Sequence, residues 1–183
     1  MAGVRIGVDK LHYAICTDGD TETWASPVAL KGVIAVNINP NASQETLFAD
    51  DGPYETAGTT GNIEVEINKA QLSIQERAAL LGHTYDSSTG LLKSKSTDTP
   101  PYVAIGFRTL KSNGSYRYVW LYKGKFTDPE DQNETKGDSV NFQTDTINGQ
   151  FLQTNKDNVW KVEADEDDAN AATAIASWFT AVP

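Results

Sequence analysis

The clearest order in this sequence is a two-residue alternation. Ile34, Val36 and Ile38 point to one side of an extended segment while Ala35, Asn37 and Asn39 point to the other. The alternation returns at Ile63, Val65 and Ile67 against Asn62, Glu64, Glu66 and Asn68. Segments 28–39 and 62–68 therefore read as strands with one apolar and one wet face, paired as a wide hairpin. Between them, residues 40–61 hold Asp51-Gly52-Pro53 and Gly58, show no apolar period, and read as a long loop. Loops of that length without structure of their own are usually functional or interfacial. Upstream, residues 1–9 read as an N-terminal arm, Leu11 to Thr17 as a strand, and Asp18-Gly19-Asp20 as the turn that ends it.

The densest β signal lies in 102–126. Tyr102 to Leu110 and Tyr116 to Phe126 flank Lys111-Ser112-Asn113-Gly114, where Asn-Gly supplies the positive φ that hairpin turns need. In the second strand Tyr116, Tyr118, Trp120 and Tyr122 form one row and Arg117, Val119, Leu121 and Lys123 the other, which predicts cover on both faces. A helix is predicted from Ser73 to Leu81, because Ser73 and Glu76 stand at capping-box spacing and Gly82 follows as a stop. Residues 86–99 read as a loop closed by Pro100-Pro101, and 127–138 as an acidic loop. Ser139 to Thr154 and Val159 to Ala164 read as strands across the turn Asn155 to Asn158, with a phase slip between Phe142 and Ile147 that suggests a bulge. Asp165 to Asp168 then open a short Ala-rich helix, with the C-terminal helix and end occupying 169–183. The expected fold is mainly β: a single domain over 1–183, built as a sandwich or open barrel of roughly eight strands with one packed helix and long loops.

Charge narrows the function. A net charge of −10 over 183 residues repels nucleic acid and anionic membranes, so a phosphate-gripping role is disfavoured. Residues 93–125 run against that trend, with seven Lys/Arg and the single acid Asp98, whereas Glu45 to Glu66 holds six acids and no base. Complementary patches on different surfaces of one subunit generate rings or filaments. Arg108, Lys111, Arg117, Lys123 and Lys125 are accordingly the candidate basic inter-subunit patch. No apolar stretch approaches the roughly 18–20 residues of a membrane span, and no apolar leader opens the chain, so a soluble protein without an export signal is expected. Cys16 is the one cysteine, which excludes an intrachain disulfide and suits a reducing compartment. Asn41, Asn113 and Asn133 open glycosylation sequons, but in such a compartment they are turn residues.

Catalytic chemistry finds little to work with. His12 and His83 are the only histidines; His83 follows the helix stop, where a donor can cap terminal carbonyls, and His12 has no recognisable partner. Asp165 to Asp168 lack the ligand spacing of a calcium loop and read as a solvated helix start. Glu64 and Glu66 sit about 7 Å apart at the backbone on one strand face, with no cleft implied for a glycosidase pair. The aromatic row at 116–122 could stack sugars, although such rows are more often core. No phosphate loop, serine elbow or zinc spacing occurs, and neither a cofactor nor a metal is expected. A self-assembling structural subunit is the leading reading, a carbohydrate-binding β-sandwich the runner-up, and an enzyme the third.

Several long runs carry a resemblance: Asn37 to Asn41, Glu45 to Ala57, Ile63 to Ile67, Leu80 to Asp86, Pro100 to Phe126, and Trp178 to Val182. In these runs the chain resembles the major tail tube proteins of long non-contractile-tailed bacteriophages of Gram-positive hosts, the phi thirteen type. The segments Asp18 to Ala25 and Ser87 to Thr99 do not match that pattern, and no additional immunoglobulin-like domain is recognised. The resemblance implies a subunit of hexameric rings, stacked into the hollow tail tube of the virion and assembled in the host cytoplasm. It also implies contacts with a tape measure protein and with tail terminator and tail tip proteins, and DNA passing through the lumen at ejection without specific binding. A conduit for DNA should not bind DNA. Asn37, Asn39, Glu64 and Glu66 are therefore the candidate lumen-lining residues, and Asp50, Asp51, Tyr54 and Glu55 the candidate ring-stacking loop.

Overall fold

The computed structural model describes residues 3–17, 22–131, 133–135 and 141–183. Eleven strands are described: β1 (Arg5–Thr17), β2 (Thr23–Trp24), β3 (Val28–Ala29), β4 (Val33–Ala49), β5 (Gly52–Lys69), β6 (Thr84–Asp86), β7 (Leu91–Lys93), β8 (Val103–Lys111), β9 (Tyr116–Phe126), β10 (Asp145–Phe151) and β11 (Lys161–Asp165). Nine of them form one antiparallel sheet in the order β2-β1-β8-β9-β10-β5-β4, with β3 added to β1 and β11 to β9; β6 and β7 make a separate small hairpin. Helix α1 (Ile74–Leu81) crosses between β5 and β6, and a 3₁₀ turn (Ala169–Ala171) runs into α2 (Ala172–Ala176). The fold is mainly β with two short helices, as the alternation predicts.

Two apolar clusters hold the sheet. The larger joins Leu11 and Tyr13 of β1, Ile63, Val65 and Ile67 of β5, Val103, Ile105 and Phe107 of β8, and Val119, Leu121 and Phe126 of β9. Leu80 and Leu81 bring α1 onto the same face, and Val33, Val36 and Ile38 of β4 close it from the far end of the sheet. The second cluster lies on the opposite face, where Ala14, Ala104, Tyr118 and Trp120 are covered by Trp178, with Ile175 and Phe179 alongside. Trp120 is fully buried there and its Nε1–H donates to the Trp178 carbonyl at 2.9 Å. A Cβ at Gly106 would stand 2.5 Å from that indole, so glycine at this position lets the ring lie flat on β8. Both rows of β9 are therefore interior, and the aromatic row is core.

Helix α1 begins and ends as its sequence dictates. The Ser73 hydroxyl accepts from the Glu76 amide, the Glu76 carboxylate accepts from the Ser73 amide at 2.7 Å, and Gly82 closes the helix in the left-handed conformation with φ 75°. The same carboxylate accepts from buried Lys69 Nζ at 2.6 Å, tying the helix start to the end of β5.

Several boundaries differ from the sequence expectation. The N-terminal arm is strand from Arg5 onward, because the backbone of residues 5–9 pairs with Lys111 to Arg108 of β8 even though its side chains lie largely exposed. Residues 40–61 are not a loop. β4 and β5 stay paired from Pro40↔Ile63 out to Ala49↔Gly52, and Asp50 and Asp51, at φ 51° and 59°, make the two-residue turn. The turn of the β8–β9 hairpin carries positive φ at Gly114 alone, with the Gly114 amide donating to the Lys111 carbonyl. The loop 86–99 contains β7, paired to β6. The slip after Phe142 is no bulge: β10 starts at Asp145 and pairs with β5 without a shift, while Phe142 lies exposed before it. The C-terminal helix is shorter than Ala169 to Phe179. The turn 18–20, residues 1–2, part of the acidic loop and residues 139–140 lie outside the described residues.

Candidate functional site

Strands β5, β4 and β10 bring the four candidate lumen residues together on one polar face. Register places Asn37 opposite Glu66 and Asn39 opposite Glu64. On the other side of β5, Asn148 stands opposite Glu66 and Gln150 opposite Glu64. Two amide–carboxylate–amide rows thus cross three strands, since their apolar neighbours Ile63, Val65, Ile67 and Ile147 turn into the core. The Asn37 Nδ2 amide donates to Glu66 Oε1 at 2.9 Å, which orients one carboxylate along the sheet. Thr127 borders the face, its amide donating to the Asn148 carbonyl at 2.9 Å.

The face forms a shallow groove of about 430 Å³, lined by Asn, Gln, Glu and Thr residues together with Ile38, Val65 and Gly149; no basic residue lines the groove itself, and Lys125 of β9 stands opposite Gln150 at the end of one row. It offers no paired acid and base, no nucleophile held by a base and no oxyanion donors. What it offers is an open, negatively charged, hydrogen-bonding surface that repels phosphate. Asn148 and Gln150 were not among the sequence candidates, although their alternation with Ile147, Gly149 and Phe151 carries the same two-residue signature as β5.

Beyond Pro40 and Ile63 the β4–β5 hairpin leaves the core. Both of its faces are exposed, and cross-strand hydroxyl pairs, Ser43 with Thr59 at 3.0 Å and Thr46 with Thr56 at 3.2 Å, replace apolar packing. Eight residues a side carry it about 26 Å outward at the usual strand rise. Asp50, Asp51, Tyr54 and Glu55 lie at its tip, all exposed, beside Leu47 and Phe48, whose side chains are 60% and 69% exposed. β4 has no second hydrogen-bonded neighbour among the described residues, so its outer edge is open.

Four of the five residues of the expected basic inter-subunit patch, Arg108, Lys111, Arg117 and Lys123, are paired with carboxylates of the same chain, and Lys125 lies over an aromatic ring. Arg108 forms a bidentate pair with Asp9 at 2.7 and 2.8 Å and stacks 3.8 Å over Tyr116, which together hold its guanidinium charged. Lys111, 3% exposed, donates to Asp165 and Asp167. Arg117 makes a second bidentate pair with Asp165 at 2.9 and 2.7 Å and holds that carboxylate at about 2. Lys123 donates to Glu22 at 2.8 Å, and Lys125 lies 4.2 Å from the Tyr102 ring. Composition alone could not show this, since the acids that answer the hairpin come from distant segments. The cluster Asp165 to Asp168 is likewise no simple solvated helix start: Asp168 caps the 3₁₀ turn, while Asp165 and Asp167 serve Lys111.

Both histidines are structural in their contacts. His83 caps no carbonyl; its Nδ1 meets Asp98 and its Nε2 meets Asp128, each at 2.9 Å. Burial pushes its pKa down, but the two carboxylates push it further up, so the imidazolium is favoured. His12 Nδ1 donates to the Lys10 carbonyl at 2.8 Å, and its ring stacks 4.5 Å from Phe179. Among the described residues no group of three or more His, Cys, Asp or Glu side chains is placed to hold a metal, and no helix is long and apolar enough to cross a membrane.

No protein-family model matches this chain, and no curated protein matches it.

Proposed function

We propose that this protein is a structural subunit that assembles with its own copies into a tube of the tail-tube type, its polar sheet face turned to the lumen. The observation that carries the proposal is the ordered face of Asn37, Asn39, Glu64, Glu66, Asn148 and Gln150. A surface of acids and amides across β4, β5 and β10, with Lys125 of β9 at the end of one row, suits a passage along which DNA slides without sticking. The open edge of β4 and the bare hairpin beyond Pro40 give neighbouring copies somewhere to bind, and the apolar tip of Leu47, Phe48 and Tyr54 is a natural anchor between rings. Hexameric rings, a virion location, and contact with tape measure, terminator and tip proteins follow from the resemblance and belong to the same proposal.

The carbohydrate-binding alternative loses its motive, because Tyr118, Trp120 and Tyr122 are buried and unavailable for stacking on a sugar. Negative-stain electron microscopy of the purified protein at rising concentration tests the proposal. Hollow tubes of uniform diameter support it; a monodisperse monomer at every concentration and salt condition contradicts it.

A further inference from the structure

A second feature lies at the place where the outer edge of β9 changes partners. Residues 117–121 pair with β11 and residues 124–126 with β10. Lys123 stands at the changeover with φ 48°, a left-handed backbone that a side chain bearing a Cβ adopts at a cost. Such strain persists where surrounding contacts over-determine the conformation. Here it sends the lysine side chain under the turn that joins β10 to β11. There Nζ donates to Asn155 Oδ1 at 2.7 Å and to Glu22 Oε1 at 2.8 Å, with the Tyr102 ring centroid 5.3 Å away. The Glu22 carboxylate also accepts from the Asn155 backbone amide at 3.0 and 3.2 Å, which fixes the three groups relative to one another. Lys123 and Glu22 side chains are 7% and 4% exposed.

Amine, carboxamide and buried carboxylate in mutual contact are the reactants and the proton carrier for an amide exchange. We propose that Lys123 and Asn155 form an intramolecular isopeptide bond, with Glu22 as the proton-transferring group. The Lys123 ammonium gives a proton to Glu22, and the freed Nζ lone pair attacks Asn155 Cγ. The Nζ–Cγ bond forms and the Cγ–Nδ2 bond breaks. The two protons shed by the lysine leave on the departing nitrogen as ammonium, and Glu22 returns to its carboxylate. No oxidant, metal or co-reactant is required. Proximity supplies the acceleration, since both partners are already held at contact distance.

Other buried lysines lack part of this set. Lys69 meets a carboxylate at Glu76, and Lys111 meets Asp165 and Asp167, while the nearby Asn113 Nδ2 donates to Asp167. Burial pushes the Glu22 carboxyl up, but Lys123 and the Asn155 amide pull it further down. The resting pair is therefore ammonium and carboxylate, and a proton hand-over must precede the attack. Asn155 lies at the surface, so ammonium has a direct exit. The link would staple β9 to the β10–β11 turn, 32 positions along the chain, at the point where the two ladders part.

Mass spectrometry of the full chain after prolonged storage is the test. The wild type should be lighter than its encoded mass by one ammonia, and a tryptic digest should contain a branched peptide joining Lys123 to Asn155. Lys123→Arg, Glu22→Gln and Asn155→Ala should each return their encoded masses, with near-ultraviolet circular dichroism confirming that they are folded. The encoded mass in aged, folded wild type overturns the proposal, as does loss of water with Lys123 joined to Glu22. The measurement is independent of tube formation, so it stands or falls separately from the assembly reading.

Discussion

The β8–β9 and β4–β5 hairpins are built from the same element and live in opposite surroundings. β8 and β9 are covered on both faces by two apolar clusters, and Arg108, Lys111, Arg117 and Lys123 along them are answered by acids from elsewhere in the chain. β4 and β5 bury one face near the body and none beyond Pro40. An isolated two-stranded hairpin is marginal in water, and an uncovered edge invites pairing. The first hairpin is covered within the chain; the second leaves both faces bare beyond Pro40. Under the proposed assembly, that contrast separates the residues that make the fold from those offered to a neighbouring copy.

Substitutions sharpen the contrast in order of expected effect. Trp120→Ala should cost about 3–5 kcal/mol, since it empties the second cluster and drops a buried hydrogen bond. Urea unfolding should show the loss as a lowered midpoint. Glu76→Gln should cost about 2 kcal/mol, because buried Lys69 loses its counter-charge and the capping box its carboxylate. Partial burial of Glu76 pushes its pKa up, but Lys69 and Ser73 pull it lower still. Its contribution is present above the unfolded carboxylate value and is lost as pH falls through the depressed folded value. Asp165, held at about 2 by Arg117, extends that acid loss downward, so stability should decline from near pH 4 towards pH 2.

The His83 clasp has the opposite sign. Its folded pKa lies above the ordinary histidine value, so its stabilisation is complete below about pH 6.5 and fades as pH rises through the folded value. A neutral ring can donate to only one of the two flanking carboxylates. Thermal melts of wild type and His83→Gln should converge at alkaline pH; parallel curves would show that the clasp does not titrate. Smaller still is the effect of replacing residues 43–58 by Asn-Gly. Stability should change by less than about 1 kcal/mol, since those residues touch no core, while tube formation is lost. Least of all should the fold respond to Glu64→Lys with Glu66→Lys, by roughly 0.5 kcal/mol or less for each exposed site. Tubes should still form, and DNA delivery through them should fall; normal delivery would remove lumen charge from the account.

What the sequence made legible is the part written in apolar periodicity. Ile63, Val65 and Ile67 announced both the buried and the wet face of β5, and Ser73, Glu76 and Gly82 marked the ends of α1. The outer hairpin escaped notice because alternation is visible only when one face is apolar, and Ser43, Thr46, Thr56 and Thr59 pair through hydroxyls on a strand with two wet faces. Its turn was hidden too: Asp50-Asp51 adopts the conformation for which Asn-Gly is the usual signal. The basic residues of 93–125 misled for a different reason. Asp9, Glu22, Asp165 and Asp167 reach Arg108, Lys111, Arg117 and Lys123 only after folding, so charge counted along the chain overstated the patch that the folded molecule presents.

Amide hydrogen exchange followed as a function of protein concentration tests the contrast most directly. In dilute solution residues 103–126 should be strongly protected and residues 42–59 should exchange rapidly. On concentration to assembly, the account predicts that 42–59 slow markedly while 103–126 stay as they were. Equal protection of both hairpins in the dilute monomer, or an unchanged rate at 42–59 once tubes are present, would contradict it.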